Sequence, residues 1–369
     1  MKRGILMMLT LFALMNAISV AEAKTPKREA RDIVGSCHIN SFYNFTDKDY
    51  INEGADKLLE LGTRVIKLVI SENLAGYYTF NTNWPKITSL VQAAQISYFK
   101  EVFDKPFTTY VLMTFAPGKD ILYFTKGMTP EDVKREQDAF YEFTKYLLTK
   151  YKGTGKTFIL QNWEGDWSLS PAVENRKDPG RVAIKGMIEW LNARQDGVDK
   201  ARKEVGMHGV TVAHAGEVNM VDHAMQGRHT VTNNVLPYTH CDLYAYSAYD
   251  TITQGKEKFR QALDYIASKA PASEIYGEKN VYIGEFGYPE NVVGEEARLK
   301  IAKDTVEVVL DWGAKYALFW ELYDDGPRKA YTGRPTNDDM VGNWLIRPDG
   351  TKSTIWDYFH ELFKSKKKY

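Results

Sequence analysis

From residue 31 onward, short apolar runs alternate with longer stretches in which apolar residues recur every three or four positions. The runs fit strands buried on both faces, and the longer stretches fit amphipathic helices. Strands are predicted over 33–39, 65–71, 108–115, 158–160, 209–215, 242–248, 281–285 and 316–322. Helices are predicted over 47–61, 89–103, 130–151, 182–205, 256–269, 295–312 and 355–364. The third of these has the clearest start: Thr129 as cap, Pro130 in the first turn, and Glu131 and Asp132 on the positive end of the helix dipole. The fifth unit is the least regular, because 216–238 reads as a long loop with little helix.

Repeated strand–helix units imply a parallel sheet. Eight of them in about 345 residues match a single-domain α/β fold, the (β/α)8 TIM barrel. A doubly wound open sheet is the competing topology, but it would carry a glycine-rich nucleotide loop after its first strand. Gly35-Ser36-Cys37-His38 is not one.

The first residues belong to a different pattern. Lys2-Arg3, an apolar run over 5–20 and Ala21-Glu22-Ala23 form the three parts of a secretory signal, with cleavage expected after Ala23. Residues 1–23 are therefore set apart from the barrel of 24–369, and the mature protein is expected to be secreted or periplasmic. Export permits disulfides, but the only cysteines are Cys37 and Cys241. Cys37 falls on the first predicted strand and Cys241 at the start of the sixth, too far apart across a barrel to be bridged, so two free buried thiols are expected. Two cysteines without a histidine cluster do not make a structural zinc site, and no metal or other cofactor is demanded.

The 369 residues carry 48 basic and 48 acidic side chains. This balance gives no electrostatic footprint for nucleic acid and no polybasic membrane face, so neither is expected as a partner once the signal is removed. Aromatic residues make up 13% of the chain, and several stand at predicted strand ends, where their rings suit stacking on sugars.

In a parallel barrel the active site lies at the carboxyl ends of the strands. Those ends supply His38 and Asn40, Lys67 and Ser71, Thr114, Asn162 with Trp163 and Glu164, His214 with Glu217 and Asn219, Ser247 with Tyr249 and Asp250, Glu285, and Trp320 with Glu321. Two segments share one grammar. In Gln161-Asn162-Trp163-Glu164-Gly165-Asp166-Trp167 and in Ile283-Gly284-Glu285-Phe286-Gly287, an apolar strand runs into a lone Glu with glycine beside it. Paired carboxyls among aromatic rings suit cleavage of a glycosidic bond, in which one protonates the departing oxygen and the other attacks or positions water. A polymeric or oligomeric carbohydrate is the expected partner.

Glutamates closing the fourth and seventh strands, 121 positions apart, with a tryptophan on the eighth, resemble the clan A glycoside hydrolases, which are retaining (β/α)8 enzymes. The resemblance spans the mature chain in layout and rests on short motifs. It implies Glu164 as acid/base and Glu285 as nucleophile. It also implies Tyr249 as hydrogen-bond donor to the nucleophile and Trp320 as a platform under the sugar. His38, Lys67, Asn162, Trp163, Trp167, His214 and Asn219 complete the expected substrate-binding set. The chain departs from the clan at three points: Trp163 intervenes between Asn162 and Glu164, Lys67 replaces an arginine, and Ser247 stands where a histidine often precedes the tyrosine. Those departures keep a second reading open, a carbohydrate-binding barrel with little or no catalysis.

Several candidates have plainer explanations. His214 equally suits a core imidazole, and Trp163, Trp167 and Trp320 suit caps on the core. Glu321 reads either as a solvated neighbour of Trp320 or as the alternative carboxylate to Glu285. Asp324-Asp325-Gly326-Pro327 reads as a turn. Asp166 either raises the pKa of Glu164 by like-charge repulsion or binds a sugar hydroxyl.

Overall fold

The computed structural model describes residues 27–170 and 178–369, so the expected signal over 1–23 lies outside the described residues. Eight parallel strands close into a barrel in sequence order: β1 (Val34–Cys37), β2 (Val65–Ile70), β3 (Thr109–Thr114), β4 (Thr157–Gln161), β5 (Thr211–Val218), β6 (Leu243–Ser247), β7 (Val281–Phe286) and β8 (Ala317–Phe319). Pairing of β1 with β8 completes the ring. The chain is a single-domain TIM barrel. Among the described residues no helix is long and apolar enough to cross a membrane. Cys37 and Cys241 are both free and buried.

Most helices follow the sequence pattern. Pro130–Lys150 begins with a reciprocal capping box between Thr129 and Asp132, and Tyr50–Leu61 is capped by Asp49 and ended by Gly62. The helix expected over 89–103 is instead two, Leu90–Ala94 and Ser97–Asp104, with Ile96 extended between them. The break lets Leu90 and Ala94 on one piece and Phe99 and Phe103 on the other all reach the core. Packing sets this break, and helix periodicity does not record it.

Two strand boundaries differ in ways that matter for the site. β5 runs three residues beyond the predicted end, because Gly216, Glu217 and Val218 pair with Tyr244, Ala245 and Tyr246 on β6. Gly216 therefore does not end the strand. β8 keeps only three residues of the predicted seven, and the chain then leaves the ladder through a cis peptide between Trp320 and Glu321. The 216–238 region carries short helices Val221–Met225 and Val231–Asn234 in place of a long crossover helix.

β7 contains an irregularity that shapes the interior. Ala245 and Ser247 on β6 face Tyr282 and Glu285, so three steps on β7 match two on β6. Strict alternation would send Tyr282 and Glu285 to opposite faces; the extra residue brings both inside. There the Tyr282 hydroxyl donates to Gln161 Oε1 at 2.5 Å.

The helices Pro130–Lys150 and Arg181–Val205 cover β3 to β5 and are joined by a fully buried ion pair. Arg194 Nε donates to Glu136 Oε2 at 2.9 Å, and Arg194 Nη1 reaches the Thr114 carbonyl at the end of β3. Its guanidinium also lies over the Trp190 and Phe140 rings. Glu136 also pairs with Arg135 and the Tyr123 hydroxyl, whereas Arg194 has no other carboxylate among the described residues, so removing Glu136 strands a buried guanidinium. Glu136→Met is expected to cost about 3–5 kcal/mol in urea unfolding, more than the double variant Arg194→Met/Glu136→Met.

Candidate active site

The carboxyl ends of the strands surround a cavity of about 500 Å³. Glu164 and Glu285 both line it, with the rings of Trp163, Tyr249, Trp320 and Tyr77 around them. Two carboxyls distant in sequence thus share one hollow of sugar size.

Glu285 is set on β7 and almost wholly buried. Lys67 on β2 reaches across the barrel, its Nζ donating to Glu285 Oε1 at 2.8 Å and to the Gly284 carbonyl at 3.1 Å. Tyr249 OH donates to the other oxygen at 3.1 Å. Lys67 is itself fully buried. Desolvation works against its charge, but Glu285 and Glu217 outweigh it and its pKa is raised.

Glu164 is held differently. It follows β4 in a tight turn with φ of 29°, a backbone region that side-chain-bearing residues rarely occupy. The turn is fixed from β5, where Glu217 Oε2 accepts from the Glu164 N–H at 2.6 Å. Gly165 is required immediately afterwards, since a Cβ there would lie 1.9 Å from the Glu217 carbonyl oxygen. Gly284 serves the same packing from the other side: its missing Cβ leaves room for the Glu217 and Gln161 side chains. Burial raises the Glu164 pKa to about 8, and the charges of Glu285 and Glu217 push in the same direction. Lys67 opposes them.

Glu217 was visible in the sequence as a strand-end residue, but nothing there assigned it a role. It is wholly buried, accepts from Ser247 Oγ, and has its pKa raised to about 7 by burial, with Lys67 pulling it down and Glu285 pushing it up. Ser247, in the position where a histidine was expected, is thus occupied by Glu217.

The remaining predicted residues divide into those near the cavity and those outside it. Trp163, Tyr249 and Trp320 line it, and Lys67 stands directly behind Glu285. Asn162 turns away: its Oδ1 accepts from the Glu217 N–H at 2.9 Å, the consequence of its one-residue shift from Glu164. Asn219 Oδ1 accepts from the Asp166 N–H, and Asp166 in turn accepts from the N–H groups of Asn219 and Val231, each at 2.8 Å. Asp166 thereby fastens the Glu164 turn to the β5 loop. Burial lifts its pKa to about 6, against those two bonds. Trp167 is half-buried on the short helix Gly165–Leu169 and does not line the cavity.

His38 and His214 do not reach the cavity. His38 is buried among Tyr50, Tyr78 and Tyr323, with Nε2 at 2.6 Å from the Tyr50 carbonyl, and burial lowers its pKa to about 4. His214 faces the helical layer, edge-on to Phe140, with neither ring nitrogen paired, and burial pushes its pKa well down. Glu321 is fully buried, which rules out the solvated reading.

No family model and no curated protein sequence matches the chain. Similarity appears among solved structures. A GH5_18 protein from Streptomyces cattleya, solved in complex with GlcNAc, aligns with a TM-score of 0.56 at 14% identity over 92% of this chain and 81% of that one. A family 39 glycoside hydrolase from Bacteroides cellulosilyticus WH2 aligns with a TM-score of 0.57 at 13% identity, covering 92% and 65%. An exo-β-1,4-mannosidase from Opitutaceae bacterium strain TAV5 gives 0.58 at 13%, covering 92% and 61%. At such identities the likeness establishes the shared barrel fold.

The packing around Gly165 is directly testable. Gly165→Ala is expected to lower stability by about 2–3 kcal/mol, as overpacking does, with an unchanged denaturant m-value. Gly180→Ala, where a Cβ meets nothing within 4 Å, is the matched control.

Proposed function

We propose that this protein is a retaining glycoside hydrolase acting on a β-linked oligo- or polysaccharide, with Glu164 as acid/base and Glu285 as nucleophile. The observation that carries the reading is the contrast between two carboxyls in one cavity. Burial raises the Glu164 pKa to about 8, whereas Glu285 receives hydrogen bonds from an ammonium and a phenol. Glycoside cleavage with retention needs one carboxyl that donates a proton and another held as nucleophile. The sugar-bound Streptomyces cattleya relative supports carbohydrate as the ligand class.

In the first step the Glu164 proton passes to the glycosidic oxygen as the bond to the anomeric carbon breaks, and Glu285 forms an ester with that carbon. In the second, Glu164, now a carboxylate, takes a proton from water while the water oxygen attacks the same carbon and releases Glu285. Trp163 and Trp320 offer stacking faces for the ring. The carbohydrate-binding alternative would use the same cavity, but it gives no reason to keep one carboxyl protonated beside another bound to lysine. We also propose export, on the strength of Lys2-Arg3 and the apolar run that follows.

Glu164→Gln is expected to abolish release of reducing ends from natural β-glycans while sparing aryl glycosides with activated leaving groups. Glu285→Gln should lose both activities. Equal loss on both substrate types in Glu164→Gln would contradict the acid role. Proton NMR of early product should show the β-anomer.

The pH dependence has a defined sign. The acid works only when protonated, so hydrolysis should fall as pH rises through about 8. With activated aryl glycosides, that alkaline limb should be absent in Glu164→Gln.

A further inference from the structure

Beyond the two glutamates, the cavity wall contains a third carboxylate, Asp325, just past β8. Its backbone N–H donates to Glu321 Oε1 at 3.1 Å. Glu321 is completely buried, and its Oε2 has no partner. A carboxylate oxygen of Glu321 lies within 4.8 Å of one of Asp325, and burial, followed by the Asp325 charge, raises the Glu321 pKa well above normal, while burial also raises that of Asp325. Glu321 is completely buried and Asp325 only half-buried, so a proton shared by the two acids resides on Glu321 and Asp325 is the acceptor that faces the cavity. Asp324, the third acid of the group, is already occupied, accepting from the N–H groups of Gly326 and Gly342.

The charge balance of the cavity follows from these contacts. Glu164, Glu285 and Asp325 line it, and no Lys, Arg or His does so among the described residues. The nearby ammonium, Lys67, is engaged by Glu285 and the Gly284 carbonyl. A sugar carrying its own carboxylate would meet Asp325 and the carboxylate side of the Lys67–Glu285 pair, with no unengaged cation among the described lining residues to receive it. A neutral sugar presents hydroxyl donors, which a carboxylate held in a partly buried wall accepts strongly.

We propose that Asp325 is a substrate-contacting residue that accepts hydrogen bonds from the hydroxyls of an uncharged sugar ring, and that the site excludes uronic acids. This rests on the glycosidase reading for its ligand class, but not on turnover.

Binding is therefore the primary measurement, followed by fluorescence of the cavity tryptophans at neutral pH. The probes are methyl β-D-glucoside, methyl β-D-mannoside, methyl β-D-glucuronide and the methyl ester of that glucuronide. At least one neutral glycoside should bind, the glucuronide should bind about 10-fold or more weakly than its own ester, and Asp325→Asn should narrow that gap to about threefold, as expected for loss of a charged acceptor. The acid–ester comparison needs no variant. Equal binding of acid and ester, an unchanged gap in Asp325→Asn, or no binding by any probe would overturn the proposal. Binding as expected with no hydrolysis of any glycoside would instead count against the hydrolase mechanism and leave this inference standing.

Discussion

The site is organised by one buried ammonium. Lys67 is removed from water, where a lone charge would be strongly disfavoured, and it is tolerable there because Glu285 and the Gly284 carbonyl receive its hydrogen bonds. Neither partner of such a pair can be removed cheaply, since the survivor becomes an uncompensated charge in a poorly solvated interior. The pairing also distributes protons among the neighbours. Three glutamates, Glu164, Glu217 and Glu285, converge near one cation, and burial makes additional negative charge costly. The raised pKa values of Glu164 and Glu217, neither of them bonded directly to Lys67, reflect that cost.

Holding Glu164 requires a different arrangement. Its turn has an unusual backbone conformation and is kept by contacts from β5: the Glu217 carboxylate on its N–H, Gly165 packed on the Glu217 carbonyl, and Asp166 bonded to Asn219 and Val231. Because β4 and β5 are adjacent in the barrel, these bonds are short and mutually supporting. Residues that looked like ligand groups in the sequence, Asn162, Asp166 and Asn219, instead shape the platform that presents Glu164. Preorganisation of this kind fixes a side chain within a narrow range of positions.

His38 and His214 illustrate how little a side chain's chemistry says about its direction. His38 follows β1 and His214 stands in the middle of β5, and both face packed layers of aromatic or helical side chains. Their lowered pKa values follow from burial, and neutral imidazoles fit such surroundings. Asp325 is the reverse case. Its Asp-Asp-Gly-Pro setting reads as an ordinary turn, yet the short β8 and the turn after Trp320 bring its carboxylate to the cavity.

Strand and helix alternation, the closed (β/α)8 count, the capped helix at Thr129, the two free thiols and the convergence of Glu164 with Glu285 were all legible in the sequence. They depend on periodicity, local caps and the rule that strand ends share one face of a barrel. What the chain alone did not determine was which way residues point once that regularity breaks. The bulge that turns both Tyr282 and Glu285 inward, the extension of β5 through Gly216, and the pairing of Lys67 with a residue five strands later in the chain are set by contacts between distant segments. A linear pattern records each residue's preference for water or core, but the direction of a side chain at an irregular strand is chosen by the neighbours that close around it.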